Sequence, residues 1–136
     1  MSFGARFTAL APGDPCPCGS GETFASCCGP LLTGQAAPTA ERLMRSRYTA
    51  FATGDAAHLA RTWHPRTRPA ELDLDPGRRW TGLRILTTIS GGEDDADGIV
   101  AFEASWDDGA ERGTLRERSR FSRRGGRWVY VDGDVG

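Results

Sequence analysis

The chain has 136 residues and a formal net charge of −1, from 17 basic and 18 acidic side chains. That length suits one compact domain, or one domain with a small appendage, burying roughly two-thirds of the surface its unfolded form exposes. The near-neutral balance speaks against a dedicated nucleic-acid binder, and no apolar run approaches the roughly 18 residues of a membrane span. Residues 1–15 lack the basic segment and apolar stretch of a secretory leader, so a cytoplasmic protein with reduced thiols is expected. All the basic side chains are arginine, whose planar fork suits phosphate and carboxylate, although genomic composition bias explains the usage more simply.

The first element is a cysteine cluster. Cys16 and Cys18 flank one proline; eight residues later Cys27 and Cys28 are adjacent. A disulfide framework spreads its cysteines to tie distant segments together, and neighbouring cysteines bridge each other only with strain. Four thiolates around one tetrahedral ion need no such distortion. Pro17 stiffens the first knuckle, Gly19 and Gly21 let the chain reverse with amide hydrogens aimed at sulfur, and Ser20 bonds locally. Phe24 offers one apolar contact, too little to fold the segment, so the metal supplies the missing stability. Zinc is expected. Iron is a possible occupant of the same thiolate cage, and a redox dithiol is a third reading without the usual C-x-x-C signature. A closed four-sulfur site leaves no open position for metal catalysis.

This stretch resembles the SEC-C motif, found at the C-terminus of the SecA translocation ATPase and in small bacterial proteins. SecA has histidine as its last ligand where Cys28 stands here. The resemblance covers Pro15 to Gly29, with a module expected over residues 12–30. It implies an interaction device that docks a protein partner, the ribosome or the secretion machinery.

Residues 29–38 read as a linker. Thr39 can cap a helix with Glu41 in its first turn, an apolar face of Leu43, Met44, Tyr48, Phe51 and Ala52, and Gly54 as its stop. Asp55 can cap a second helix running to about Trp63, with Leu59 and Trp63 on one face and His64-Pro65 ending it. Residues 65–79 read as loop. Strands are predicted over 80–90, 98–106, 112–123 and 127–132, separated by Gly- and Asp-rich turns. Helices followed by an antiparallel meander predict an α+β fold, with helices packed on one face of a curved sheet.

The body resembles the YchJ-like family of bacterial proteins through Leu43–Tyr48, Thr62–Pro65, Glu117–Phe121 and Arg127–Gly133. That resemblance implies a cone-shaped, cystatin-like domain similar to nuclear transport factor two over residues 38–134. Some relatives carry a second SEC-C motif at the C-terminus; this chain ends at Gly136 without one.

Alternation in the third strand sends Leu115, Glu117, Ser119 and Phe121 to the core side and Arg116, Arg118 and Arg120 to the other. An inward Glu117 requires a partner, and Arg47 or His64 is expected to supply it. Arg47, Tyr48, Trp63, His64, Glu117 and Ser119 are thus candidate pocket residues, with His64 and Glu117 as candidate catalytic groups. A buried ion pair pinning helix to sheet is the simpler account. Arg116, Arg118, Arg120, Arg123, Arg124 and Arg127 form a stripe that reads as a solvated face, with RNA contact the alternative. Trp63, Trp80, Trp106 and Trp128 read as core and pocket wall. The leading expectation is a metal-stabilised adaptor rather than an enzyme; a small-molecule-binding or acid–base protein using the cone pocket is the alternative, and a redox-responsive switch the third. No phosphate loop, dinucleotide fingerprint or nucleophile elbow appears.

Overall fold

A computed structural model describes residues 7–136. A 3-10 turn at Phe24–Ser26 leads into α1 (Cys28–Leu32), followed by α2 (Ala40–Thr53), α3 (Ala56–Arg61) and four strands, β1 (Arg79–Ser90), β2 (Asp97–Asp107), β3 (Arg112–Arg124) and β4 (Arg127–Val135). The strands form one antiparallel sheet in chain order. The fold is α+β as expected, with α2 packed against β1, β2 and β4. No helix among the described residues is long and apolar enough to cross a membrane.

Local chemistry sets the boundaries of α2. The Thr39 side chain accepts a hydrogen bond from the Arg42 amide at 3.1 Å, and Gly54 closes the helix with φ 79°. The predicted single apolar face understates its burial. Ala40, Leu43, Met44, Ser46, Arg47, Tyr48, Thr49, Ala50 and Ala52 are all buried, because the helix is covered on three sides. Arg42, Arg45 and Thr49 meet the cysteine segment, Ser46 meets α3, and Met44, Arg47 and Tyr48 face the sheet.

Three boundaries differ from expectation by more than a residue, and one of them is the end of β4, which runs to Val135 rather than to residue 132. The linker contains α1, which Cys28 and Leu31 bury. The helix capped by Asp55 ends at Arg61, before Trp63. Thr62 turns its hydroxyl back onto the His58 carbonyl at 2.7 Å, and the next residues run extended beside β4. There the Tyr130 amide donates to the Thr62 carbonyl and the His64 amide to the Tyr130 carbonyl, each at 2.8 Å. Two sheet hydrogen bonds thus replace the helical turn that a Leu59–Trp63 face would need.

Between β3 and β4, Gly125 and Gly126 both have positive φ, the geometry of a two-residue hairpin that follows strand twist. Regular pairing from the hairpin puts Phe121 opposite Tyr130; a register shift between Arg120 and Phe121 then leaves Val131 unpaired and brings Ser119 opposite Gly133. Trp128 and Val129, adjacent in sequence, are both buried.

Candidate metal centre and cone cavity

The sulfurs of Cys16, Cys18, Cys27 and Cys28 all lie within 4.8 Å of one another, and all four residues are buried. Cys18 and Cys27 are 3.6 Å apart and Cys27 and Cys28 4.0 Å. Metal–sulfur bonds of about 2.3 Å in a tetrahedron put sulfurs about 3.8 Å apart, so the donor set fits an ion with little adjustment. The fold builds it from a short bridge, Pro15 to Thr23, and from Gly19 and Gly21, which have φ 78° and 89°.

Hydroxyls, rather than the expected glycine amides, touch the sulfurs. The Gly19 amide donates to the Cys16 carbonyl, whereas Ser20 Oγ donates to Cys27 Sγ at 3.1 Å and Thr49 Oγ1 to Cys28 Sγ at 3.4 Å. Hydrogen bonds from Cys16 and Cys28, with smaller help from Ser20 and Cys27, hold the Cys18 thiol far below its usual range. Arg45 Nη1 reaches the Cys18 carbonyl at 2.8 Å and Arg42 Nη2 the Cys27 carbonyl at 3.3 Å. The cysteines belong to the same buried cluster as Leu43, Met44 and Tyr48. The knuckle is therefore part of the core. Arg42, Arg45 and Thr49 were the residues sequence reading missed, although their spacing of three and four marked a polar helix face.

A cavity of 230 Å³ opens between α2 and the concave sheet face. It brings together five of the six candidate pocket residues, Arg47, Tyr48, Trp63, Glu117 and Ser119, and adds Phe51, Trp80 and Tyr130. His64 is not among them. It lines a separate surface hollow with Arg66, Asp97, Arg120 and Asp132, and its Nδ1 accepts from the Arg66 amide at 3.1 Å. The expected His64–Glu117 pair is not formed, because pairing with β4 turns the His64 segment away from the cavity.

Glu117 is held by hydroxyls. Ser119 Oγ donates to its Oε2 at 2.6 Å and the Tyr130 hydroxyl to the same atom at 3.0 Å. No ion pair joins it to Arg47, which is 3 % exposed and lies between two rings, 4.9 Å from the centroid of Trp63 and 4.6 Å from that of Tyr130. Arg47 Nη1 donates to the Leu59 carbonyl at 3.0 Å and to Thr62 Oγ1 at 2.7 Å. Burial lowers the Arg47 pKa to about 10, partly offset by Tyr130 and Glu117. Burial, then the nearby Glu117, pushes the Tyr130 hydroxyl up, so it stays a donor at neutral pH.

The cysteine segment, residues 14–30, matches the family profile described as the SEC-C motif, and residues 39–133 match "YchJ, middle NTF2-like domain". The chain belongs to the YchJ-like family. A UPF0225 protein of Streptomyces coelicolor is 59% identical over 124 residues, which are 90% of this chain and 97% of that one. The solution structure of a SEC-C motif containing protein from Rhodopseudomonas palustris superposes with a TM-score of 0.78 at 34% identity, covering 89% of this chain and 98% of that chain. A crystal structure of a SEC-C motif containing protein from Psychrobacter arcticus shares the fold, with a TM-score of 0.76 at 23% identity over 94% of this chain and 86% of that chain.

The arginine stripe is largely occupied. Arg84 and Arg116 both pair with Glu103, and Arg120 pairs with Asp132 at 2.5 Å and Asp134 at 2.9 Å. Arg123 lies over Trp128 and donates to the Asp95 carbonyl at 2.7 Å.

Proposed function

We propose that the protein is a cytoplasmic, zinc-stabilised binding protein whose working site is the cone cavity. The observation that carries this reading is Arg47: a guanidinium buried between two aromatic rings, with only one of its nitrogens bonded to protein among the described residues. A buried cation with spare donors is costly unless an acceptor reaches it. Phe51, Trp80, Phe102 and Leu115 give the rest of the cavity an apolar wall. A small molecule with an apolar body and a carboxylate or carbonyl head satisfies both halves. Glu117, with both neighbouring hydroxyls committed to Oε2, keeps Oε1 for a donor on the ligand. With His64 elsewhere, Glu117 has no imidazole or second carboxylate beside it in the cavity lining, which favours binding over acid–base catalysis. Zinc, when bound, supplies a fixed crosslink between the knuckle segments and no open coordination position.

Titrating small aromatic carboxylates such as benzoate into isotope-labelled protein tests the reading. Shifts at Arg47, Trp63 and Tyr130, weakened about tenfold by Arg47→Lys, are expected; no perturbation at those residues across a fragment set rejects it. Metal analysis of reduced protein is expected to give one zinc per chain, and bound iron would instead colour the sample.

A second reading, docking of a protein or ribosomal partner through the knuckle, is favoured by one observation. The sulfurs turn inward while Gly19 to Thr23 stand exposed. Glu22→Arg, which leaves the sulfurs untouched, should abolish partner capture if this loop is the docking surface. RNA contact through the stripe would reside in Arg118 and Arg124, which make no side-chain hydrogen bond or ion pair among the described residues.

A further inference from the structure

One cavity is bordered by four guanidinium groups and no acid. It measures 210 Å³ and lies between α3 and the β3–β4 hairpin, where Arg61, Arg68, Arg124 and Arg127 converge from three separate segments. Each of the four other cavities described has at least one aspartate or glutamate in its lining. The contrast with the sheet face is sharp. Arg84, Arg116 and Arg120 are neutralised by carboxylates, whereas none of these four arginines forms an ion pair among the described residues.

Backbone carbonyls tether three of them. Arg61 Nη2 donates to the Leu32 carbonyl and to His58 Nδ1, Arg68 Nη1 to the Ala60 carbonyl and Arg127 Nη1 to the Gly34 carbonyl, all at 3.1 Å. Each tether uses one nitrogen and leaves the rest of the fork free. The Arg124 side chain makes no hydrogen bond among the described residues and stands beside the hairpin turn. Tethered forks have already lost part of their rotamer freedom, which lowers the cost of binding an anion. Four like charges gathered in a chain of net charge −1 are a local arrangement rather than an overall excess. A carboxylate engages one fork in bidentate fashion; the oxygens of a phosphate can take bonds from several at once.

We propose that this cavity binds a phosphate group, with Arg61, Arg68, Arg124 and Arg127 as its donors. The site is separate from the cone cavity and does not depend on what binds there. The phosphate belongs either to a small phosphate ester or to an RNA backbone.

Inorganic phosphate titrated into the full-length protein at low ionic strength, followed by heteronuclear NMR, tests the site. Saturable shifts are expected at Gly34, Arg61, Arg68 and Arg127. The double variant Arg124→Gln/Arg127→Gln should bind at least tenfold more weakly, and Arg116→Gln, on the sheet face, should bind like the parent. Both hairpin side chains are exposed, and an unchanged melting temperature verifies folding. Arg124→Gln alone, which breaks no side-chain hydrogen bond or ion pair among the described residues, should give a smaller loss in the same direction. A parallel titration with short single-stranded RNA identifies the source. RNA affinity that falls in the double variant and declines steeply with salt assigns the phosphate to a polynucleotide; phosphate binding without RNA binding assigns it to a small ester. Unsaturable shifts spread over all arginines, or equal affinity in parent and double variant, overturn the proposal.

Discussion

Glu117 owes its position to two hydroxyls and to the absence of a side chain opposite. Gly133 pairs with Ser119 across the β3–β4 ladder, and a Cβ there would collide with the Glu117 carboxylate. Gly133→Ala should therefore overpack the site and cost about 1–3 kcal/mol in urea unfolding. Combining it with Glu117→Ala should recover much of that loss. A second prediction concerns His58. Ser46 commits its proton to the Leu43 carbonyl at 2.8 Å, so it accepts from His58 Nε2 at 2.9 Å, and Nδ1 faces the Arg61 donor at 3.1 Å. The ring is thus fixed as the neutral Nε2–H tautomer. Burial first, then Arg61 and Arg47, lowers its pKa to about 4. An unfolded histidine takes its proton near pH 6.5, so from about pH 6.5 to about pH 4 the unfolded chain binds more protons and the fold loses stability. The full loss is about 3 kcal/mol, and His58→Gln should flatten that window in a comparison of pH-dependent unfolding curves. Sequence pattern gave no access to this residue. His58 lies on a short helix whose expected apolar face, Leu59 with Trp63, does not include it, and its partner Ser46 is twelve positions away.

At the scale of elements, α2 carries the construction. Thr49→Val removes the hydroxyl on Cys28 with almost no change in volume, and should weaken metal retention about 10–100-fold in competition with a chromophoric chelator. Gly54→Ala forces a Cβ onto a left-handed backbone and within 2.9 Å of the Phe7 ring, and should cost about 1–2 kcal/mol by thermal unfolding. Much of this layer was legible. Thr39, Gly54 and Asp55 mark ends that follow from capping chemistry, and Leu115, Glu117, Ser119 and Phe121 share a face because strand alternation is local. What failed required knowledge of distant partners. Trp63 leaves its helix because β4 offers hydrogen bonds, and the β3–β4 hairpin register, which alternation within one strand does not fix, brings Tyr130 opposite Phe121 and its hydroxyl within reach of Glu117. The distance of His64 from Glu117 follows from the same pairing.

For the whole molecule, the cysteine cluster and the helix-then-meander order were readable, but the depth of their union was not. Cys18, Cys27 and Cys28 are each no more than 2 % exposed and pack with the main core. Stripping the ion with a strong chelator under reducing conditions should therefore lower the melting temperature of the entire chain, in one transition rather than two. The loss is a substantial part of the roughly 10–16 kcal/mol that zinc gives small finger peptides, reduced here by the contacts of Arg42, Arg45 and Thr49 that remain.

The long helix that grips the sulfur cage through Thr49 also forms a wall of the aromatic cavity through Met44, Arg47 and Tyr48. Two guests leaning on the same beam are thermodynamically linked, and linkage runs equally in both directions. The tightness with which the chain keeps its ion then becomes a gauge of cavity occupancy: a dye that competes for zinc could register the unseen guest before its identity is known.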